Sequence, residues 1–337
     1  MWLCAEGAHF LRQKSGVFCD NIQHMGESLG HTAIPFDAVL IAGPTASGKS
    51  ASALALAEAV GGVVVNADSM QVYREIRILS ARPSDADMAR VPHLLYGHVG
   101  ASERYSVGRY QTDAIAALAE ARAQHRLPIF TGGTGLYFAA LTEGLADIPT
   151  VPGSVRKETR DKLDALGVSG LHAELAARDP LTSAQLRPTD TQRVLRAYEV
   201  FEATGRPLAS WQQEAGTPVL AGLRLARFVL EVPRHELRER IEARFRAMLA
   251  TGACAEAAAL SGLDPTLPAA KILGLRELRA LDQGLMSEVD VVSAAVTATR
   301  QFAKRQMTWF RHRMAEWTWI NAGAERNNMS VMRHFLS

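Results

Sequence analysis

The octapeptide Gly43-Pro44-Thr45-Ala46-Ser47-Gly48-Lys49-Ser50 decides how the rest of this 337-residue chain is interpreted. It matches the pattern G-x-x-x-x-G-K-[ST], in which backbone N–H groups turn inward around one anion. An apolar run at residues 38–42 precedes it and an alanine- and leucine-rich run at residues 51–60 follows it, which predicts a strand, a glycine loop and a helix. The helix dipole would favour the same anion, Lys49 would add a positive charge, and Ser50 could ligate a Mg²⁺ that bridges two phosphates. The stretch therefore predicts a site for a diphosphate or a triphosphate.

The composition is that of an ordinary globular protein and disfavours several classes. The chain is 47% hydrophobic and 21% charged, which provides ample core material. Its formal net charge of +2 means that any nucleic-acid surface must be local. No apolar run approaches the length of about 18 residues that a membrane span needs. Three cysteines without a C-x-x-C pair favour a reducing, cytoplasmic compartment over a disulfide framework or a structural zinc site.

Strand and helix patterns alternate on both sides of a helical segment. We predict an α/β fold, a P-loop NTPase-like parallel sheet with helices on both faces, whose catalytic core comprises residues 37–147 and 216–322. Residues 148–215 begin with a linker containing proline and glycine and continue with helix patterns, which predicts an all-helical insertion domain. Residues 1–36 are expected to be a poorly ordered extension and residues 323–337 a flexible tail.

An acidic residue follows the second strand pattern. Val63-Val64-Val65 predicts a short strand that leads into Asn66-Ala67-Asp68-Ser69-Met70-Gln71-Val72-Tyr73. Because ligand sites in open α/β sheets lie at the carboxyl ends of strands, we expect Asp68 to lie close to Lys49 and Ser50. Asp68 could be a Mg²⁺ ligand or a general base. The plainer alternative is a helix N-cap, a position that aspartate favours.

Two further features each have two interpretations. Thr131-Gly132-Gly133-Thr134-Gly135-Leu136-Tyr137 follows a third strand pattern and is either a phosphate-adjacent loop or a tight turn between a strand and a helix. Basic residues recur on predicted helices in the insertion, at residues 235–249 and at residues 297–313. They form either solvated helix faces or a surface for a nucleic-acid backbone. Arg240 and Arg244 share one helix face, and one of them could reach the bound phosphates.

These observations leave two enzyme hypotheses. In the first, the protein is a P-loop kinase of a small metabolite, with ATP on the loop and the insertion as a lid. In the second, it is a transferase that acts on nucleic acid, and the loop holds a pyrophosphate leaving group. Basic clusters in three separate regions, and a second half far larger than a lid, favour the second hypothesis. A nucleotide-regulated switch is disfavoured because no strand pattern in the first half ends in D-x-x-G.

From about residue 38 to residue 320, the motifs together resemble one family, the tRNA dimethylallyltransferases (isopentenyl-diphosphate:tRNA transferases). The octapeptide is similar to the family's P-loop, and residues 66–73 are similar to its Asp-Ser-x-Gln region. The other matches, in family order, are Val91-Pro92-His93, Gly132-Gly133-Thr134-Gly135-Leu136-Tyr137, Gln192-Arg193, Gly274-x-Arg276 and Thr299-Arg300-Gln301-x-Ala303-Lys304-Arg305-Gln306-x-Thr308-Trp309. The zinc-finger extension of some eukaryotic members is missing from the sequence, which resembles the bacterial type.

The resemblance implies a reaction and a set of roles. A dimethylallyl group would pass from dimethylallyl diphosphate to N6 of adenosine 37, in tRNAs that read codons starting with U, and pyrophosphate would leave. Asp68 would be the general base. Thr45, Lys49 and Arg244 would stabilise the pyrophosphate, and Ser50 would ligate Mg²⁺. The adenine would have to be flipped out of the anticodon loop to react.

The resemblance also implies partners and contacts. We expect a monomer with no membrane partner that binds the tRNA anticodon stem-loop and dimethylallyl diphosphate. The octapeptide 43–50 would bind the diphosphate. The implied tRNA contacts are Asp68, Ser69, Met70, Gln71, Thr134, Arg156, Gln192, Arg193, Val194, Leu195, Arg196, Lys271, Gly274, Arg276, Lys304, Arg305, Gln306, Trp309 and Arg311.

Several positions depart from the family pattern, and three of them change the character of the side chain. Leu79-Ser80-Ala81-Arg82-Pro83 stands where the family commonly has Gly-Thr-Ala-Lys-Pro, so a glycine is lost at residue 79. Leu275 and Glu277 stand where the family commonly has tyrosine and glutamine. The first change bears on the shape of the loop. The other two bear on whether these positions contact tRNA.

Overall fold

The structure is a computed structural model that describes residues 35–214 and 216–322, together with residues 330 and 332. Apart from its last two residues, the extension expected at residues 1–36 lies outside the described residues. The same holds for the tail expected at residues 323–337, apart from residues 330 and 332.

Six parallel strands form one sheet in the order β3-β2-β4-β1-β5-β6. β1 (Ala38–Ala42) is central and pairs with β4 (Pro128–Gly132) on one side and with β5 (Leu225–Glu231) on the other. β2 (Val63–Asn66) and β3 (His93–Leu94) extend the sheet beyond β4, and β6 (Thr318–Asn321) extends it beyond β5. Every residue of β1, β2 and β4 is buried, so both faces of the central sheet are covered, as in the predicted α/β fold.

The first four helices connect the strands on one side of β1. They are α1 (Lys49–Val60), α2 (Asp85–Arg90), α3 (Val107–Ala123) and α4 (Gly135–Thr142). The polar segment at residues 74–87, with Pro83 inside, predicts a loop, and α2 begins within that segment at Asp85. This short helix is stabilised by a capping box, in which Ser84 accepts the N–H of Asp87 and the Asp87 carboxylate accepts the N–H of Ser84.

The inserted helices surround a hydrophobic cluster of their own. They are α5 (Gly153–Arg178), α6 (Pro180–Ser183), α7 (Thr191–Thr204) and α8 (Leu208–Gln212). Buried Leu171 and Leu175 of α5 pack with Val194 and Tyr198 of α7. Asp190 caps α7 by accepting the N–H of Arg193 at 3.2 Å.

Four helices follow β5. They are α9 (Arg234–Ala250), α10 (Ala253–Ala259), α11 (Leu275–Asp282) and α12 (Glu288–Arg313). The pattern predicts the last of them only from residue 297. α12 begins earlier because Ser287 caps it and because Val291, Val292 and Ala295 are buried along its first turns. No helix in the described part of the chain is long and apolar enough to cross a membrane.

Candidate active site

Segments that follow neighbouring strands meet at the carboxyl edge of the sheet. Ala42, at the end of β1, is level with Gly132 of β4 and Val229 of β5, so the segments after these strands emerge together. The segments that follow β1, β2 and β5 line a cavity of 330 Å³. The residues that line it are Thr45, Ala46, Ser47, Gly48, Lys49, Ser50, Ala51, Asp68, Gln71, Ser80, Ala81, Arg240 and Arg244. The structure thus brings together the predicted P-loop, the predicted acid and both arginines of α9.

The P-loop wraps around the cavity through two left-handed residues. Ala46 has φ 63° and Gly48 has φ 85°, and the N–H of Ser47 between them donates to Pro44 O at 3.3 Å. Ser47 Oγ is buried and finds no hydrogen-bond partner among the described residues. A buried hydroxyl without a partner at the base of a phosphate loop fits a bound anion that would supply its acceptor.

The first two residues of the octapeptide support the loop from below. The N–H of Gly43 donates to Gly132 O at 3.3 Å, which joins the P-loop to the loop after β4. Pro44 O accepts Lys49 Nζ at 3.2 Å. Both residues are buried and neither lines the cavity. Their place in the structure is therefore that of a scaffold beneath residues 45–50.

Two cations face the cavity from opposite walls. Burial lowers the pKa of Lys49 to about 8, an effect that the charge of Arg244 reinforces and the charge of Asp68 opposes. Arg244 is partly buried, and desolvation lowers its pKa; its Nη2 donates to Thr45 Oγ1 at 2.5 Å. A buried positive charge attracts an anion more strongly than one in water does. The three residues predicted to stabilise pyrophosphate therefore line one cavity.

Asp68 lies two residues beyond β2 and faces the same cavity. Its Oδ1 accepts the N–H of Met70 at 2.9 Å. Oδ2 has no hydrogen-bond partner in the described part of the chain and is the oxygen free to face a substrate. Thr134 supports the segment from the loop after β4, because its Oγ1 accepts the N–H of Ser69 at 2.9 Å. This contact gives the loop after β4 a structural role beside Asp68.

The side chain of Gln306 joins two glycine loops that are far apart in sequence. From α12, its Oε1 accepts the N–H of Thr45 at 3.0 Å and its Nε2 donates to Gly133 O at 2.9 Å. The side chain is only 6% exposed. These two hydrogen bonds correct its predicted role, because an amide that holds the protein's own backbone inside the site is not a surface contact for tRNA.

Glu256 of α10 is a structural residue of the site that the sequence analysis missed. Its carboxylate accepts three backbone N–H groups, those of Arg77, Ile78 and Leu79, at 2.7 to 2.9 Å. On the other side of the same turn, Gln71 Nε2 donates to Ser80 O and Ala81 O. The wall of the cavity formed by residues 80 and 81 is therefore held from both sides. No local motif marks Glu256, since its partners lie more than 170 residues earlier.

The predicted tRNA contacts of the insertion differ in how far their side chains are exposed to solvent. Gln192 and Arg193 are exposed, and Arg156 and Arg196 are partly buried, beside Glu199. Val194 is fully buried in the hydrophobic cluster of the insertion, which corrects its predicted role. Its side chain stabilises the packing of α7 on α5 and presents no surface to a ligand. Leu195 packs against the same cluster and is partly exposed.

The predicted contacts of α12 lie on two faces of the helix. Gln306 points inward to the P-loop, and the ring of Trp309 lies against Gly135. Lys304 and Arg311 instead line a separate groove of 580 Å³ between α9 and α12. Arg305 is exposed. The structure therefore does not gather these residues into one surface.

Leu79, Leu275 and Glu277, which depart from the family pattern, are all buried. Leu79 is buried and approaches the backbone of Gly274, which also contacts Phe245 of α9. Leu275 is 1% exposed, so a side chain at this position packs in the core and does not stack on a base. Glu277 is buried and pairs with exposed Arg276 at 3.1 Å. Lys271, close to this turn, is exposed.

The donor set at the P-loop bears on the predicted magnesium ion. Among the residues that the structure describes, no group of three or more His, Cys, Asp or Glu side chains could hold a metal. The Ser50 hydroxyl and the Asp68 carboxylate do line one cavity. Mg²⁺ keeps several waters and needs only one or two protein oxygens when phosphates supply the others. The residues present thus fit a magnesium ion that binds together with a diphosphate.

Comparison with known sequences gives a consistent result along most of the chain. A family model described as IPP transferase matches residues 71–313, and one described as isopentenyl transferase matches residues 36–96. A tRNA dimethylallyltransferase of Azorhizobium caulinodans is 53% identical over 284 residues, which cover 83% of this chain and 90% of the relative. One of Rhodopseudomonas palustris (strain BisB18) is 52% identical over 293 residues, with coverage of 86% and 93%.

Solved structures give the same picture. A tRNA isopentenylpyrophosphate transferase of Bacillus halodurans has a TM-score of 0.61 and 31% identity, and the match covers 89% of this chain and 95% of that one. A eukaryotic dimethylallyltransferase acting on tRNA has a TM-score of 0.72 and 25% identity, with coverage of 88% and 79%. None of these relatives is a kinase, so the kinase alternative gains no support from them.

Proposed function

The chain belongs to the tRNA dimethylallyltransferases, which transfer a dimethylallyl group to adenosine 37 of tRNA, and we propose that it takes this group from dimethylallyl diphosphate. The acceptor atom would be N6, in tRNAs that read codons starting with U, and pyrophosphate would be released. One observation carries the proposal. A single cavity holds a phosphate loop and two partly buried cations, and a carboxylate with one unoccupied oxygen faces it.

The positively charged residues that line the cavity would stabilise the leaving group. When the bond between the allylic carbon and its oxygen breaks, the electron pair stays on the diphosphate, which gains negative charge. Lys49, Arg244 and the Thr45 hydroxyl are already in place to stabilise that charge, without reorganisation during the reaction. A Mg²⁺ ion at Ser50 would neutralise part of the same charge.

Asp68 would act on the acceptor nucleotide, adenosine 37. As the adenine N6 forms a bond to the allylic carbon, it must lose one proton, and Asp68 Oδ2 is the oxygen free to take it. The hydrogen bond from Met70 N–H to Oδ1 holds the carboxylate in orientation. This division of work leaves the P-loop to hold the leaving group and Asp68 to act on the nucleophile.

The remaining parts of the proposal concern the tRNA and the state of the protein. Exposed basic residues on α7 and α11, among them Arg193 and Arg276, would contact the phosphates of the anticodon stem-loop. A monomer is the active form in this proposal. The cysteine pattern supports a cytoplasmic setting.

The test is transfer of label from dimethylallyl diphosphate to an anticodon stem-loop with the sequence A36-A37-A38. We expect label on the RNA only when residue 37 is adenosine, and a guanosine at that position is the control. Asp68→Ala should lower turnover by about 10²- to 10⁴-fold while binding of the stem-loop survives. Turnover near that of the wild type in Asp68→Ala would remove the general-base role. Phosphorylation of a small metabolite from ATP, without label transfer, would overturn the whole proposal.

A further inference from the structure

Asn66 is a buried amide two residues before the proposed base. It is the last residue of β2, and its side chain is 0% exposed. Burial of an amide side chain costs free energy unless its N–H donors and its acceptor oxygen all form hydrogen bonds. The hydrogen bonds of this side chain therefore show what it holds in place.

Three hydrogen bonds from the Asn66 side chain fix the backbone around Asp68. Oδ1 accepts the N–H of Asp68 at 2.9 Å, and Nδ2 donates to Asp68 O at 2.9 Å. Nδ2 also donates to Leu95 O at 3.0 Å. Both ends of the Asp68 backbone are thus tied to one rigid side chain, and that side chain is tied to the segment after β3.

The environment of Asn66 prevents the side chain from moving. Its own carbonyl accepts the buried hydroxyl of Tyr110 at 3.2 Å, and the ring of Tyr110 is stacked on Tyr137 with centroids 3.8 Å apart. Leu95, the third partner, has φ 64°, a left-handed conformation that costs energy for a leucine and needs support from its surroundings. The support includes the hydrogen bond from Asn66.

The segment held by Asn66 continues into Tyr96, which follows Leu95. The hydroxyl of Tyr96 is buried without a partner among the described residues. Burial raises the pKa of Tyr96, and the charge of Asp68 raises it further. Asn66 therefore joins Asp68 to the segment after β3.

We propose that Asn66 is a positioning residue that sets the orientation of the Asp68 carboxylate toward the acceptor nitrogen. The proposal rests on the proposed function, since it assumes that Asp68 is the base. Asn66 touches neither the P-loop cavity nor any residue that binds the diphosphate. Its loss is therefore expected to lower the rate of the chemical step far more than it weakens binding of the donor or of tRNA.

The experiment compares Asn66→Ala, Asn66→Ser and the wild type by steady-state kinetics with the labelled donor and the anticodon stem-loop. We expect kcat to fall by about 100-fold in Asn66→Ala, the loss that a misplacement of about 1 Å produces, with both KM values within about threefold of the wild type. A serine hydroxyl can still accept the N–H of Asp68, so Asn66→Ser should recover part of kcat.

A matched control separates positioning from a loss of stability. Thr182 is a buried residue of the insertion whose Oγ1 accepts the N–H of Ala209 at 3.0 Å, far along the chain from Asp68. Thr182→Ala should lower the free energy of unfolding, as Asn66→Ala does, without lowering kcat. The comparison is made at a temperature where both variants are folded. The proposal is overturned if Thr182→Ala loses as much kcat as Asn66→Ala does. It is also overturned if Asn66→Ala raises KM and leaves kcat unchanged.

The Asp68→Asn variant separates failure of the positioning role of Asn66 from failure of the general-base role of Asp68. If Asp68→Asn is inactive and Asn66→Ala retains full kcat, the base role stands and the positioning role is wrong. If Asp68→Asn retains its turnover, the base role is wrong, and the positioning proposal fails with it.

Discussion

Lys49 makes diphosphate binding sensitive to pH in a range that can be measured. Burial lowers its pKa to about 8, against 10.5 for a free side chain. At pH 7 about nine-tenths of the unliganded protein therefore carries this charge, and at pH 9 only about one-tenth does. Because the charge is lost as pH rises, kcat/KM for the donor should fall about tenfold between pH 7 and pH 9 at saturating tRNA.

The assay is label transfer at donor concentrations well below KM, with binding of inorganic pyrophosphate measured by calorimetry over the same pH range. Lys49→Arg is the control, because a guanidinium stays charged throughout this range and should flatten the alkaline limb even where its absolute activity is lower. A flat wild-type profile up to pH 9, or an equal fall in Lys49→Arg, would refute the assignment of this limb to Lys49.

Three further substitutions test other parts of the site. Arg244→Ala should lower kcat by about 10²- to 10³-fold, because it removes a preorganised donor to the leaving group, and single-turnover label transfer measures this directly. Gln306→Leu leaves the N–H of Thr45 and the carbonyl of Gly133 without partners, which should cost about 2 kcal/mol or more in the free energy of unfolding by urea titration. Arg193→Ala should weaken binding of the stem-loop and reduce by about one the slope of log K against log salt concentration; an unchanged slope would place this side chain outside the interface.

The parallel sheet was predictable because its signals are local. Each of β1, β2, β4 and β5 is a short apolar run next to glycine or proline, and the alternation of strands with helices admits few other arrangements. β6 was not predicted, since Thr318-Trp319-Ile320-Asn321 is too short and too mixed to show a period. Its pairing with β5 comes from tertiary context, which residue patterns do not contain.

Residues of the site were likewise predictable where their signal is local, and not where their role depends on distant parts of the chain. The P-loop, Asp68 and the arginine pair of α9 could be identified because each is a local pattern at a strand end, where the topology collects ligand-binding groups. Gln306 and Glu256 could not be assigned their roles, because these depend on backbone groups that lie 261 and 177 to 179 residues earlier. Val194 was misassigned because a helix motif does not show which of its members face the neighbouring helix.

The bond between Gln306 and Thr45 has a consequence for how the protein is made. The P-loop leaves the ribosome 261 residues before the glutamine that completes its hydrogen bonding. At roughly 5–20 residues per second, a nascent chain spends on the order of 10–50 s with this loop unfinished. The insertion helices are synthesised within that interval, so a chain that terminates early can present basic helices to RNA but lacks the closed phosphate loop. Because Gln306 lies on the last long helix, we expect translation products that end before it to lack these hydrogen bonds and to be poorly active.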